Sequence, residues 1–228
     1  MSVDRASNIA LQKKAARKEI FAALKSLTPG ERSESDAFIR SRLESIPLYQ
    51  RASTIFIFVG DGWEVDTWPL IEAALARGKR VAVPRCIAAP SGAAVKTEAE
   101  AKSGATLKAD IANEKASVSG VMEACLINSK NDLSRTEPWG LWEPAAGSVV
   151  IAPEEIDFAV IPCMACDIRG HRLGRGGGFY DRYLAGRSFT KAALCRDIVL
   201  RDQIPTEYHD VALDFVVTES KLIETATA

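Results

Sequence analysis

The stretch Thr54-Ile-Phe-Ile-Phe-Val-Gly-Asp-Gly-Trp-Glu-Val-Asp-Thr-Trp-Pro-Leu-Ile-Glu-Ala-Ala-Leu-Ala-Arg-Gly-Lys-Arg-Val-Ala-Val-Pro84 decides the fold class. Thr54–Val59 is apolar with little alternation and is β-branched or aromatic nearly throughout, as a strand covered on both faces requires. Asp66 or Thr67 then caps a helix whose Leu70, Ile71, Ala74 and Leu75 make its buried side, and Gly78 closes it. Lys79–Pro84 is a second short strand. Strand, helix and strand in this order form a βαβ unit, which sets the two strands parallel through a right-handed crossover.

Toward the N-terminus, residues 9–27 read as a helix, with Ala16, Ile20, Ala23, Leu24 and Leu27 at three- and four-residue steps. Thr28-Pro29-Gly30 stops it and leads into a second helix over 31–46. Toward the C-terminus, 88–120 is rich in Ala, Ser, Lys, Gly and Glu, has no aromatic residue and reads as an exposed insertion. Val121–Ile127 and Phe158–Pro162 are further strands, separated by an aromatic turn at Trp139–Pro144. Ala192–Cys195 and Leu213–Thr218 are the last strand candidates. The whole of 1–228 reads as one three-layer α/β domain with a mainly parallel, Rossmann-like central sheet.

The 228 residues carry 29 Lys+Arg against 30 Asp+Glu, and 47% are hydrophobic. A chain of this size buries a core without staples. The balanced charge excludes a polyelectrolyte-style nucleic-acid binder but leaves room for a local basic pocket. No apolar run approaches the ~18–20 residues of a membrane span, and the first residues lack a signal-peptide stretch. The expectation is a cytoplasmic protein, monomeric, with no nucleic-acid or membrane partner. The five cysteines, Cys86, Cys125, Cys163, Cys166 and Cys195, lack the dense spacing of a secreted scaffold. Cys163-Met-Ala-Cys166 has CxxC spacing, but no fourth zinc ligand follows in the run to Gly178. Pro162 and Gly170 bracket a loop rather than a helix start, so these are read as buried thiols.

Chemistry concentrates in Asp167-Ile-Arg-Gly-His-Arg-Leu-Gly-Arg-Gly-Gly-Gly-Phe-Tyr-Asp-Arg182, which follows a core strand and runs into a helix near 178–186. Gly174, Gly176, Gly177 and Gly178 let a backbone approach a ligand closely, and helix-start N–H groups attract anions. Arg172 and Arg175 add forked donors suited to phosphate or carboxylate. The usual nucleotide fingerprints fail, since Phe179 stands where GxGxxG needs glycine and no Gly-Lys-Ser/Thr is present. Lys13 and Arg17 border the buried stripe of the first helix and either snorkel past the core or point into a pocket. Glu64 follows the strand ending near Gly60, beyond which open α/β sheets bind ligands, so it is either a wall of the site or a solvated side chain. Asp181 and Asp210 are candidate metal ligands, although a loop aspartate such as Asp210 is more often a turn-former. Trp139 and Trp142 can stack on a flat ring or simply pack, the commoner use.

In order along the chain, these segments resemble the 5-formyltetrahydrofolate cyclo-ligase family. The likeness rests on Lys13-x-x-x-Arg17, Glu64-Val-Asp66-Thr67, Gly78-Lys79 leading to Pro84-Arg85, and Gly140-Leu-Trp-Glu-Pro144. It continues through Asp167-x-x-Gly170-x-Arg172-Leu-Gly-Arg-Gly-Gly-Gly-Phe-Tyr-Asp181, Gln203-x-Pro205, His209-Asp210 and Asp214-x-Val-x-Thr218. The glycine block is the specific part. The resemblance implies a Rossmann-like fold of the layered kind shared with sugar-phosphate isomerases (the NagB/RpiA type) and CoA-transferases. It also implies an ATP- and Mg²⁺-dependent closure of 5-formyltetrahydrofolate to 5,10-methenyltetrahydrofolate, with release of ADP and phosphate.

By that match Lys13, Arg17, Arg172, Leu173, Gly174, Arg175, Gly176, Gly177, Gly178, Phe179 and Tyr180 would hold ATP. Val59, Glu64, Trp142 and the run Arg175–Phe179 would touch the folate, and Asp181 and Asp210 would hold Mg²⁺. Arg175, Tyr180 and Asp181 would serve catalysis directly. Cys166, Phe179 and Gly177 depart from residues common in the family. A catalytically weak folate- or nucleotide-binding sensor on the same fold is the alternative reading.

Overall fold

The computed structural model describes residues 2–60, 62–88, 120–136 and 140–225, with the side chains from Asn8 onward. The insertion expected at 88–120 falls outside the described residues apart from its two ends, and Trp139 falls outside them entirely.

The elements in chain order are α1 (Ser2–Ser26), α2 (Pro29–Glu44), α3 (Pro47–Arg51), β1 (Thr54–Ile57), α4 (Trp68–Ala76), β2 (Arg80–Ala88) and β3 (Gly120–Ile127). They continue with β4 (Leu133–Thr136), β5 (Leu141–Pro144), β6 (Val150–Ile151), β7 (Phe158–Ile161), β8 (Ala165–Asp167), β9 (Arg172–Leu173) and α5 (Phe179–Leu184). Last come β10 (Thr190–Leu194), β11 (Leu200–Arg201), β12 (Phe215–Val217) and β13 (Leu222–Glu224).

Among the described residues the main sheet has eight strands, in the order β13-β12-β10-β7-β1-β2-β3-β6. From β12 to β2 every neighbouring pair is parallel, while β3, β6 and β13 close the edges antiparallel. The βαβ unit read from 54–84 stands at its centre: β1 pairs with β2 on one side, Ile55 opposite Val81, and with β7 on the other, Ile55 opposite Phe158.

Strand periodicity explains the three layers, because successive side chains leave opposite faces. Ile55, Ile57, Phe158, Val160, Ala192, Leu194, Phe215 and Val217 pack on one face with Ile39 and Leu43 of α2 and Leu70, Ile71 and Ala74 of α4. Phe56, Ala159, Ile161, Ala193 and Val216 pack on the other with Ile20 and Leu24 of α1 and Tyr183 and Leu184 of α5. Helix entry follows local chemistry. Thr28 and Glu31 exchange side-chain-to-amide bonds in a capping box, with Pro29 at the first helical position. At α4 it is Asp66 that accepts the Trp68 N–H at 3.0 Å, whereas Thr67 makes no cap and spends its hydroxyl on Phe58 O and Gly60 N.

Three readings are corrected. The strand expected over 79–84 runs on to Ala88, because β3 pairs with it from Val81–Ile127 as far as Ala88–Gly120. The aromatic turn at Trp139–Pro144 is in part a strand, β5, zipped to β4 with Arg135 opposite Trp142. The loop assigned between Pro162 and Gly170 contains β8, which forms a second small sheet with β9 and β11. In each case the partner strand lies elsewhere in the sequence, so local composition carried no sign of the pairing.

Candidate active site

A cleft of about 590 Å³ opens at the carboxyl ends of the parallel strands, the place where open α/β sheets hold ligands. Phe58 and Val59 after β1, Pro84 and Cys86 of β2, and Pro162, Cys163 and Met164 after β7 form its floor. The run Arg172–Asp181 forms one wall, Leu141, Trp142 and Glu143 of β5 another, and Lys13 and Arg17 reach in from α1, which packs on the same face of the sheet as α5. Val59, Glu64, Trp142, Asp181 and Asp210 also border it. The structure therefore gathers all the sequence-predicted site residues into one cavity, from elements as far apart as α1 and the loop before β12.

Asp167 shapes the glycine wall. Its carboxylate is fully buried and accepts the N–H groups of Arg169, His171 and Ile204 at 2.9–3.0 Å, fixing the loop that leads into β9. Gly170 turns this loop with φ +86°, and a Cβ there would stand 2.4 Å from Leu213 O. Gly176 has φ +101° and Gly178 φ +64°, conformations open to glycine but strained for other residues. The Arg17 guanidinium lies along this backbone: its Nε donates to Gly174 O at 2.8 Å, and its Cζ is 3.4 Å from where a Gly176 Cβ would stand. Burial lowers the Arg17 pKa, and the charges of Asp210 and Glu207 oppose that shift.

The cations are distributed unequally. Lys13, 7% exposed, bridges Glu207 Oε2 at 2.7 Å and Asp210 Oδ2 at 2.6 Å. Arg172, itself buried, pairs at 2.9 Å with Oδ1 of the partly exposed Asp181. Arg175, half exposed at the rim, pairs with Glu64 Oε1 at 3.2 Å across the cleft mouth. The Tyr180 phenol packs near Phe56 and is pushed well above its ordinary pKa by burial, then by the charges of Glu64 and Cys86. It stays protonated at neutral pH.

Three polar residues that the sequence reading did not assign to the site also border the cleft. Glu207 shares Lys13 with Asp210 and gives its own N–H to Asp210 Oδ2. His209 lies beside both, 3.7 Å from Glu207 and 4.0 Å from Asp210. Glu143, 5% exposed, accepts the Cys86 N–H and the Thr136 hydroxyl, so it pins β5 to β2. A buried carboxylate needs partners, but nothing in the sequence around Glu143 names Cys86 or Thr136 as those partners.

One oxygen of each candidate metal ligand is already ion-paired, Asp181 with Arg172 and Asp210 with Lys13. Asp181 and Asp210 offer only hard oxygen atoms, the preference of Mg²⁺. Asp181 Oδ1 also accepts the N–H of Val211, next to Asp210, so the two carboxylates border one peptide unit.

Comparisons with known proteins bear on the family and the fold. The sequence pattern of the 5-formyltetrahydrofolate cyclo-ligase family matches residues 9–219. A 5-formyltetrahydrofolate cyclo-ligase of Escherichia coli K12 is 29% identical over 204 residues, covering 88% of this chain and 96% of that protein. One from Mus musculus is 23% identical over 219 residues, covering 91% and 93%. Among solved structures, a 5,10-methenyltetrahydrofolate synthetase of Aquifex aeolicus superposes with a TM-score of 0.72 at 22% identity, covering 95% of this chain and 94% of that one. Another, from Mycoplasma pneumoniae, gives 0.62 at 19%, covering 91% and 98%. At those identities the structural likeness is one of fold, and it reproduces the large, mostly parallel central sheet described above. With the family pattern spanning all but the two ends of the sequence, the chain belongs to the 5-formyltetrahydrofolate cyclo-ligase family.

Proposed function

We propose that this cleft closes 5-formyltetrahydrofolate to 5,10-methenyltetrahydrofolate at the expense of ATP. The observation that carries the reading is the convergence of the glycine run with cations from a distant element: Arg17 of α1 sits on the backbone of Gly174–Gly176, 157 residues away in sequence. Phosphoryl transfer asks a protein for positioning and charge neutralisation more than for a covalent nucleophile.

The formyl group is an amide, and its oxygen is a poor leaving group. Transfer of the γ-phosphoryl group to that oxygen breaks the bond to ADP and makes a phosphate ester of the formyl oxygen. The side-arm nitrogen of the folate then attacks the formyl carbon and gives up its proton. The C–O bond breaks, inorganic phosphate leaves with the electron pair, and the ring is closed.

In this reading Arg17, Arg172, Leu173 and Gly174–Tyr180 hold the triphosphate. Lys13 stands between two carboxylates at the edge of the same space. Arg175, solvent-facing and tethered only loosely to Glu64, swings onto the phosphoryl group in transit. Tyr180, held protonated, donates a hydrogen bond to a developing charge. Val59, Glu64 and Trp142 bound the folate side, where a carboxylate suits the paired N–H donors of a pterin. Asp181 and Asp210 would hold Mg²⁺, which neutralises phosphate charge when bound.

The layering supports kinship with the sugar-phosphate isomerase and CoA-transferase folds. Five free thiols suit a reducing, cytoplasmic setting, and among the described residues no helix is long and apolar enough to cross a membrane.

The test is direct. Purified protein given 5-formyltetrahydrofolate and MgATP gains the near-ultraviolet absorbance of the methenyl product, and gains none when ATP is omitted. Absent turnover, with calorimetry still showing that both ligands bind, would make the protein a binding sensor instead.

A further inference from the structure

Three sulfur atoms that the cyclisation does not use converge beneath the cleft floor. Cys163 follows the end of β7, Cys166 lies in β8 and Cys195 follows the end of β10. Their Sγ atoms all lie within 4.8 Å of one another. Cys166 and Cys195 are buried, at 0% and 1% exposure, while Cys163 reaches the cleft. Cys163 donates to Leu194 O at 3.1 Å and Cys195 to Arg196 O at 3.5 Å, and the three thiols hydrogen-bond one another. Packing alone does not require three elements to aim their sulfurs at one point, since any small apolar residue fills such a space.

We propose that Cys163, Cys166 and Cys195 form a trithiolate site for one thiophilic d¹⁰ cation, Zn²⁺ or Cu⁺. With metal–sulfur bonds of about 2.3 Å, coordinated sulfurs stand about 4 Å apart, so the cluster closes on an ion with a contraction of about 1 Å or less. Thiolates select soft cations over Mg²⁺, which keeps this centre chemically separate from the carboxylates of the cleft. Zn²⁺ takes its fourth ligand as water from the cleft through the opening at Cys163, whereas Cu⁺ is satisfied by the sulfurs alone. Coordination replaces the thiol protons, which leave to solvent, and no oxidation or reduction is involved. The negative charge of the filled site faces Arg172, whose positive charge already acts on Cys163. The bound ion ties the ends of β7 and β10 to β8, so it stabilises the folded chain by mass action.

The experiment uses the full chain, reduced with a phosphine and freed of metal. Zn²⁺ is titrated against a chromophoric chelator and Cu⁺ against bicinchoninate. One ion per chain is expected for at least one of the two, with a rise in melting temperature. Co²⁺ in place of Zn²⁺ should give sulfur-to-cobalt charge-transfer bands. Cys163→Ser and Cys195→Ser should weaken binding by more than the roughly 10–100-fold that loss of an outer-shell partner costs. Cys86→Ser and Cys125→Ser, outside the cluster, should leave it unchanged. Cys163→Ser, at the cleft wall, remains informative if the buried Cys195 variant does not fold. Binding that is absent from the unmodified protein, or undiminished in Cys163→Ser, overturns the proposal. Preference for Zn²⁺ or for Cu⁺ identifies four- or three-coordination, and either supports it.

Discussion

Arg175 and Asp210 illustrate how far a single side chain's surroundings fix its role. Arg175 is half exposed and its ion pair with Glu64 lies at the rim, where such pairs contribute about 0–1 kcal/mol. Arg175→Ala should therefore leave the melting temperature almost unchanged while lowering turnover by about 10²–10³-fold, the scale of losing one donor to developing charge. A large fall in melting temperature would make Arg175 structural. Asp210 shares the Lys13 ammonium with Glu207. Asp210→Asn keeps the shape and removes one charge, so half-maximal rate should need more Mg²⁺; an unaltered Mg²⁺ titration removes Asp210 from the metal site. For Lys13 and Arg17 the sequence left open whether they snorkel past the core or enter a pocket. In the fold both enter, Lys13 to carboxylates and Arg17 to the Gly174 carbonyl. A helix stripe gives the face of a side chain but not what stands opposite.

At the scale of elements, the wall from β8 to α5 works as one unit held by a buried carboxylate and by glycine geometry. Asp167→Ala would strand three amide groups and should destabilise the protein by about 3 kcal/mol or more, read from chemical denaturation. Asp167→Asn, retaining one acceptor oxygen, should cost less, and equal losses would count against hydrogen bonding as the cause. Gly176→Ala forces a side chain onto φ +101° against the Arg17 guanidinium and should cost about 1–3 kcal/mol. Its KM for ATP should rise more than its KM for the folate. The helices α1, α2 and α4 are legible from apolar period and stop signals, and β1, β3 and β7 from runs of consecutive apolar, largely β-branched or aromatic residues. The strands β4, β8, β9, β11 and β13 are not, because they lack an unbroken apolar run and each exists only by virtue of its paired neighbour.

Across the molecule, the two apolar faces of one sheet dominate stability, and they hold several weak acids in their protonated form. Tyr49 and Tyr183 are pushed from 10 up to about 12, and Cys86 from 9 up to about 12, in each case mainly by burial. In the unfolded chain these groups release their protons first, so between about pH 9 and 12 the native state binds more protons than the unfolded one. Stability is then fully present below pH 9 and is lost as pH rises toward 12. The melting temperature should fall progressively across that window, and a flat profile from pH 9 to 11 would contradict the burial of these groups.

From residues 54–84 alone follow the fold class, the parallel sheet and the end of it where a cleft opens, because hydrophobic period and capping are local and a crossover has one hand. The glycine block likewise points to an anion site from its own letters, since a backbone without Cβ atoms and flanked by arginines is written consecutively. What only the tertiary structure decided is which distant groups meet: Arg17 on Gly174, Glu207 and Asp210 on Lys13, Glu143 on Cys86, and the third sulfur beside Cys163 and Cys166. Those contacts depend on strand order and on how the layers pack, and burial energy acts on whole faces of the sheet, without leaving a mark at any single position along the chain.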